Sequence, residues 1–193
     1  IDIRIPIGYF DWTIGREVVK DGRNYGYSPS IDIGAYSALR NLLTKPCAGQ
    51  SLFCDFIQEK EYIFTRVVTI RGRSYAARVE AYFSSVTELI DRNTGRAGGD
   101  QRQRSDYVAR FFKNSLAGAD AVFYLGHSRN GGGPDFDPPV LVPGTNKVDY
   151  NGYYKKKRPG YFMMMSALSG GNQPAILGLM SCDSRDHFMQ SLR

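Results

Sequence analysis

An open α/β fold, with a mainly parallel sheet and helices on both faces, is predicted by three features of this 193-residue chain. Two short apolar blocks, Ala121-Val-Phe-Tyr-Leu-Gly126 and Ile176-Leu-Gly-Leu-Met-Ser181, have the length and side chains of buried strands. Each follows a helical pattern. From Ser105 to about Leu116, the residues Val108, Phe111, Phe112 and Leu116 share one face, and residues 159 to 168 are apolar on nearly every face. Strand–helix–strand order of this kind implies parallel strands joined by right-handed crossovers.

The elements follow in chain order. Residues 1 to 29 are rich in Gly, Tyr and Asp and read as irregular or edge structure. Ser30 is placed to cap a helix from about Asp32 to Leu43, in which Ile33, Tyr36, Leu39 and Leu43 share a face and which Pro46 ends. Residues 61 to 70 and 74 to 83 are β-rich, and Arg71-Gly72-Arg73 between them reads as the turn of a hairpin. The second of these runs also suits the first strand of the main sheet. We therefore expect an N-terminal extension over residues 1 to 75, carrying a helix and a β-hairpin, and an α/β domain over 76 to 193.

Residues 91 to 104 read as a polar, glycine-rich loop before the helix capped by Ser105. Gly118 ends that helix, and a strand follows from about Asp120 to His127. A long Gly- and Pro-rich loop runs from Asn130 to Tyr154, a usual place for a binding site at a strand end. The buried helix over 159 to 168 includes Met163-Met164-Met165, which reads as core filler. After the Cys182 strand, Asp183 to Leu192 reads as a final helix.

Composition narrows the classes. The hydrophobic share of 42% and charged share of 23% suit a globular domain, and no run of about 18 apolar residues is available to span a membrane. The net charge of +6 permits weak attraction to anionic surfaces. The one dense basic run, Lys155-Lys156-Lys157-Arg158, lies among Tyr150, Tyr153, Tyr154 and Tyr161. No nucleic-acid motif accompanies it, so it reads as a solvated loop and nucleic acid is not an expected partner. The chain begins at Ile1, as a processed chain or a fragment would. Of three cysteines, Cys47 and Cys54 are close enough to bridge. A disulfide there would imply an exported or periplasmic protein and would leave Cys182 as a lone thiol. With three reduced cysteines the protein would instead suit the cytosol.

The chemistry lies at the two strand ends. In an open α/β sheet, side chains at the carboxyl ends of parallel strands converge on one crevice. His127 and Cys182 each follow an apolar strand. A cysteine at a helix start feels the positive end of the helix dipole, and an imidazole beside it stabilises the thiolate as an ion pair. The thiolate attacks a carbonyl carbon, and His127 protonates the leaving amine and then activates water. Backbone N–H groups of Cys182 and Ser128 are the candidate oxyanion donors. Taken singly, Cys182 also reads as a small buried hydrophobe and His127 as a hydrogen-bonded structural histidine.

The segments Ala121-Val-Phe-Tyr-Leu-Gly-His127 and Ile176-Leu-Gly-Leu-Met-Ser-Cys182 resemble the two catalytic blocks of the caspase-like cysteine peptidases, a clan that includes caspases, metacaspases, legumains, gingipains, clostripain and separase. The resemblance covers residues 76 to 193, and the interval of 182 − 127 = 55 positions fits it. It implies an open α/β sheet, a His–Cys dyad needing no third member, a peptide or protein substrate with tight side-chain specificity, and no cofactor. Ser128 stands where the family usually has glycine. Domains of this family also continue past the cysteine with strands that complete the substrate groove. The resemblance therefore leaves three expectations: a further segment beyond Arg193, a second chain that completes the site, or a reduced or inactive relative. An acidic pocket residue would select Arg or Lys, and Asp135, Asp137 and Asp183 lie near the crevice in sequence. Asp135 and Asp183 are the candidate substrate contacts, against the plainer reading of surface acids that cap turns.

Three other readings stand beside the peptidase. Gly126-His127-Ser128-Arg129-Asn130 approaches the Gly-x-Ser-x-Gly elbow of serine hydrolases, with Ser128 as nucleophile and His187 as the available base. Yet Asn130 replaces the small fifth residue, and the glycines and prolines after it preclude an immediate helix. Cys182, His187 and His127 offer a loose zinc set, with no second cysteine pair in support. The third is a non-catalytic α/β binding module with a degenerate dyad.

Overall fold

Four parallel strands carry the candidate site, in the order β6 (Arg73–Phe83), β1 (Asp2–Ile7), β7 (Ala121–Leu125), β8 (Ile176–Met180). The computed structural model describes residues 1–12, 17–27, 29–48, 53–145, 147–149, 151 and 157–192. Beyond β6 the sheet continues antiparallel through β5 (Ile63–Ile70) to β4 (Ile57–Lys60), making six strands. A separate antiparallel hairpin pairs β2 (Glu17–Lys20) with β3 (Arg23–Tyr27).

Helices cover both faces, because alternate strand residues point to opposite sides. On one face α1 (Asp32–Thr44) sets Tyr36 and Leu43 against Ile5, Ile7, Phe64, Val79 and Ala81. On the other, α3 (Gly98–Leu116), α4 (Pro159–Leu168) and α5 (Ser184–Leu192) bring Phe112, Met164 and Phe188 against Val122 and Tyr124. A short α2 (Ile90–Thr94) precedes α3. The chain leaves β1 toward β6 and returns across it to β7. The connections thus reverse direction between β1 and β7, the position where open α/β sheets form their ligand crevice.

Several elements differ from the sequence reading. The first residues form no edge: β1 is a central strand, paired with β6 and with β7. Pro6 disguised it, since proline argues against a central strand. The β1–β7 ladder registers Ile3, Arg4 and Ile7 and skips Pro6, so its missing donor is tolerated. The expected boundary at 75/76 falls inside β6, and the sheet joins residues from both sides of it.

The hairpin of β5 and β6 has the expected turn, with Arg71 and Gly72 both at positive φ (50° and 76°), as a two-residue hairpin loop requires. Helix α3 begins at Gly98, seven residues before Ser105, inside the expected loop. Tertiary contacts hold this weak helix former: the Gln101 amide donates to Ser84 O and accepts from Val86 N–H, and Arg104 Nε donates to Phe83 O. Ser30 makes no capping bond to α1. Helix α4 matches its expected span, although Phe162 stands 59% exposed on a helix expected to be buried all round.

Asp32, at the start of α1, is fully buried and ties that helix to the end of β6. It accepts from Ser84 N–H (3.0 Å), Ser85 N–H (2.7 Å) and the Ser85 hydroxyl (2.7 Å). Burial outweighs these bonds and pushes its carboxyl from the usual 3.8 up to about 6. The folded state therefore binds the extra proton between those values. This contribution to stability is present below about pH 4 and is lost as pH rises through about 6, a swing of roughly 2–3 kcal/mol. Urea unfolding of wild type and Asp32→Asn at pH 4, 5, 6 and 7 checks this. The wild-type curve falls relative to the variant across that window, and parallel curves would refute the assignment.

Candidate functional site

The ends of β1, β7 and β8 meet around an open cavity of about 990 Å³, lined in part by Asp11, His127, Ser128, Cys182, Asp183 and His187. Close backbone approach makes the meeting possible. Gly8 N–H donates to Leu125 O, and a Cβ built on Gly126 would strike the Tyr124 hydroxyl and lie 3.3 Å from Gly8 Cα. The buried Tyr124 hydroxyl donates to His127 O (2.9 Å) and accepts from Asp135 N–H (3.0 Å), joining the histidine to the loop that follows it.

His127 and Cys182 line the same cavity, as the strand-end argument expects. Cys182 is an exposed free thiol two residues before α5, which excludes the reading of a buried hydrophobe. His127 is held by a residue that sequence reasoning missed. Its Nε2 lies 3.0 Å from Asp11 Oδ1 and 3.1 Å from Asp11 O, and its ring meets Phe10 edge-on at 5.1 Å. Both Asp11 oxygens are acceptors, so Nε2 carries the proton and Nδ1 is the basic nitrogen. Nδ1 has no hydrogen-bond partner among the described residues. Asp11 gave no signal in sequence because it lies past a strand that was not recognised.

Asp11 is itself buried and belongs to a charge network. Arg129, with a side chain 2% exposed, donates from Nη2 to Asp11 Oδ1 (3.3 Å) and from Nε to Asp135 Oδ2 (2.8 Å). This changes the reading of Asp135: it is buried, lies outside the cavity lining and is the counter-ion of Arg129, so it is not placed to contact substrate. Asp183 is exposed on the cavity wall beside Cys182. Burial, with Asp135 nearby, pushes the Asp137 carboxyl above the usual range.

The loop after His127 is strained and firmly held. Arg129, Asn130 and Gly131 are successive residues at positive φ (47°, 52° and 84°). Such a run persists only where its surroundings over-determine it, and it occurs characteristically at functional sites. Its restraints are the Arg129 ion pairs, a bond from Arg158 Nε to Gly131 O (2.7 Å), and a contact of Ser128 Oγ with His187 Nδ1 at 3.1 Å. Arg158 also lies 3.7 Å above the Tyr161 ring, so this end of the basic run is docked on the protein. Lys155, Lys156, Tyr150, Tyr153 and Tyr154 lie outside the described residues. The N–H groups of Ser128 and Cys182 donate to no acceptor among the described residues.

Cys47 and Cys54 form a disulfide, and Arg66 Nη1 donates to Cys54 O (2.6 Å) beside it. These sulfurs with Asp55 are the only metal-sized cluster of candidate ligands among the described residues, so Cys182, His127 and His187 do not converge on one point. No described helix is long and apolar enough to cross a membrane. No protein-family model matches the chain, and neither the curated proteins nor the solved structures contain a significant match.

Proposed function

We propose that the protein is a cysteine endopeptidase of caspase-like type, with Cys182 as nucleophile, His127 as general acid–base and Asp11 as the residue that orients His127. The observation that carries this reading is the Asp11–His127 pair, set at the sheet's reversal point in a cavity that also exposes Cys182. The order of the parallel strands, with the histidine and cysteine on successive strand ends, supports it.

In this mechanism the Cys182 thiolate adds to the carbonyl carbon of the scissile bond. The resulting oxyanion is met by the N–H groups of Cys182 and Ser128. His127, protonated on Nδ1, gives that proton to the departing amine. A water then loses a proton to Nδ1 as it adds to the thioester carbonyl, and collapse of the adduct expels the Cys182 thiolate, releasing the acid and restoring the thiolate–imidazolium pair. The Asp11 carboxylate keeps the proton on Nε2 and stabilises the imidazolium. The disulfide supports an oxidising compartment.

The Ser128–His187 contact favours a serine hydrolase as the second reading. Against it, Ser128 is only 3% exposed and is followed by a 3-10 turn, Arg129–Gly131, in place of a helix. The test is iodoacetamide labelling of Cys182 from pH 5 to 9, followed by mass spectrometry, in wild type and His127→Ala. Fast labelling at pH 6 that collapses in the variant is the expected result. Slow labelling that rises only above about pH 8 in both proteins, as for an ordinary thiol, would replace the enzyme with a binding module.

A further inference from the structure

We propose that His187 is a positioning residue that latches the oxyanion loop to the helix following the nucleophile. The chain contains two histidines, and both line the same cavity, where His127 and its neighbour Ser128 turn to different partners. His127 is taken by Asp11 from the end of β1. Ser128 Oγ is taken by His187 Nδ1 from the first turn of α5, at 3.1 Å. The His187 ring also covers Gly131, where an added Cβ would lie 3.6 Å from it.

The latch has a mechanical consequence. The loop it holds contains three successive positive-φ residues, a conformation that relaxes unless it is restrained. Arg129 anchors that loop toward β1, and Arg158 anchors it at Gly131. His187 anchors its first residue, whose N–H is one of the two oxyanion donors. The other donor belongs to Cys182, two residues before α5. Gly126 N–H to Met180 O (3.2 Å) ties the two strand ends together two residues before each donor, and the His187 bond fixes the spacing of the donors beyond that tie. An oxyanion site depends on that spacing, because donors help only when aimed where charge develops in the transition state. Ser128 is held by its hydroxyl, and glycine at this position would have nothing for His187 to grip. The inference rests on the peptidase reading for its catalytic consequence, while the latch itself does not.

Two readouts separate these levels. Hydrogen exchange with mass spectrometry is followed over the peptide spanning Ser128 to Gly133 in wild type, His187→Ala and His187→Asn. The asparagine amide reaches the place of Nδ1. Peptide hydrolysis is measured on the same proteins. Exchange quickens in His187→Ala and returns close to wild type in His187→Asn. In parallel kcat falls about 10- to 100-fold in the alanine variant with KM within about twofold, and asparagine restores most of it. Unchanged exchange, or an asparagine variant as loose as alanine, overturns the latch whatever the turnover. Quickened exchange with full kcat overturns its catalytic role. Labelling of Ser128 by a fluorophosphonate in wild type would make His187 its base and overturn the proposal as well. Wild type without any peptide turnover strikes the peptidase reading alone, and the exchange data still decide the latch.

Discussion

Cys182→Ala lowers peptide hydrolysis by about 10³-fold or more and leaves the melting temperature unchanged. The chemical loss is large because Cys182 is the one thiol among the described residues that line the cavity, and Ser128 there is only 3% exposed. The structural loss is negligible because the thiol is exposed and belongs to neither hydrophobic cluster. His127→Ala costs a comparable factor, since the thiolate loses its partner and the leaving amine its proton donor.

Asp11→Asn falls between these variants and wild type. An amide beside Nε2 can present N–H in place of an acceptor and so favour the wrong tautomer. The Asp11 carbonyl, 3.1 Å from Nε2, survives the substitution and limits the loss to roughly 10²-fold, below the ~10⁴-fold of a triad whose aspartate acts alone. Full activity in either Cys182→Ala or His127→Ala would eliminate the mechanism, and equal activity in wild type and Asp11→Asn would eliminate the orienting role.

Arg129→Met unfolds at a urea midpoint lower by the equivalent of about 3–5 kcal/mol, with little change in slope. Methionine replaces the volume of the side chain and none of its bonds. Two carboxylates, on Asp11 and Asp135, lose the buried cation between them, and the carbonyls of Tyr9 and Asp137 lose a donor. Water cannot compensate where the arginine side chain is 2% exposed, so the cost is that of buried, unpaired charge. A loss below about 1 kcal/mol would mean that the site admits solvent and that the network is peripheral. Because Asp11 also holds His127, circular dichroism at 25 °C must establish that the variant is folded before its activity is read.

The strands of His127 and Cys182 and the helix between them were legible in sequence because each is short, apolar and bounded by glycine or proline. Burial on both faces leaves that mark on β7, whereas β8 is apolar but forms the sheet edge, with Ile176 and Met180 55% and 49% exposed. The hairpin turn at Arg71-Gly72 was legible for a similar local reason. Strand β1 was not, since Asp2, Arg4 and Pro6 break the apolar run and only the neighbours β6 and β7 make it central. The start of α3 at Gly98 was hidden in the same way, because the bonds that stabilise it come from Phe83, Ser84 and Val86.

By itself the sequence determined that this is an α/β chain with a histidine and a cysteine at neighbouring strand ends, since periodicity and strand punctuation are local properties. Only the tertiary structure decided that Asp11 orients His127, that Asp135 serves Arg129, and that Ser128 meets His187. These contacts join residues 116, 6 and 59 positions apart, and two of the three cross between different elements of the fold. Charge and hydrogen-bonding partners are chosen by proximity in space, and a pattern along the chain carries no record of it.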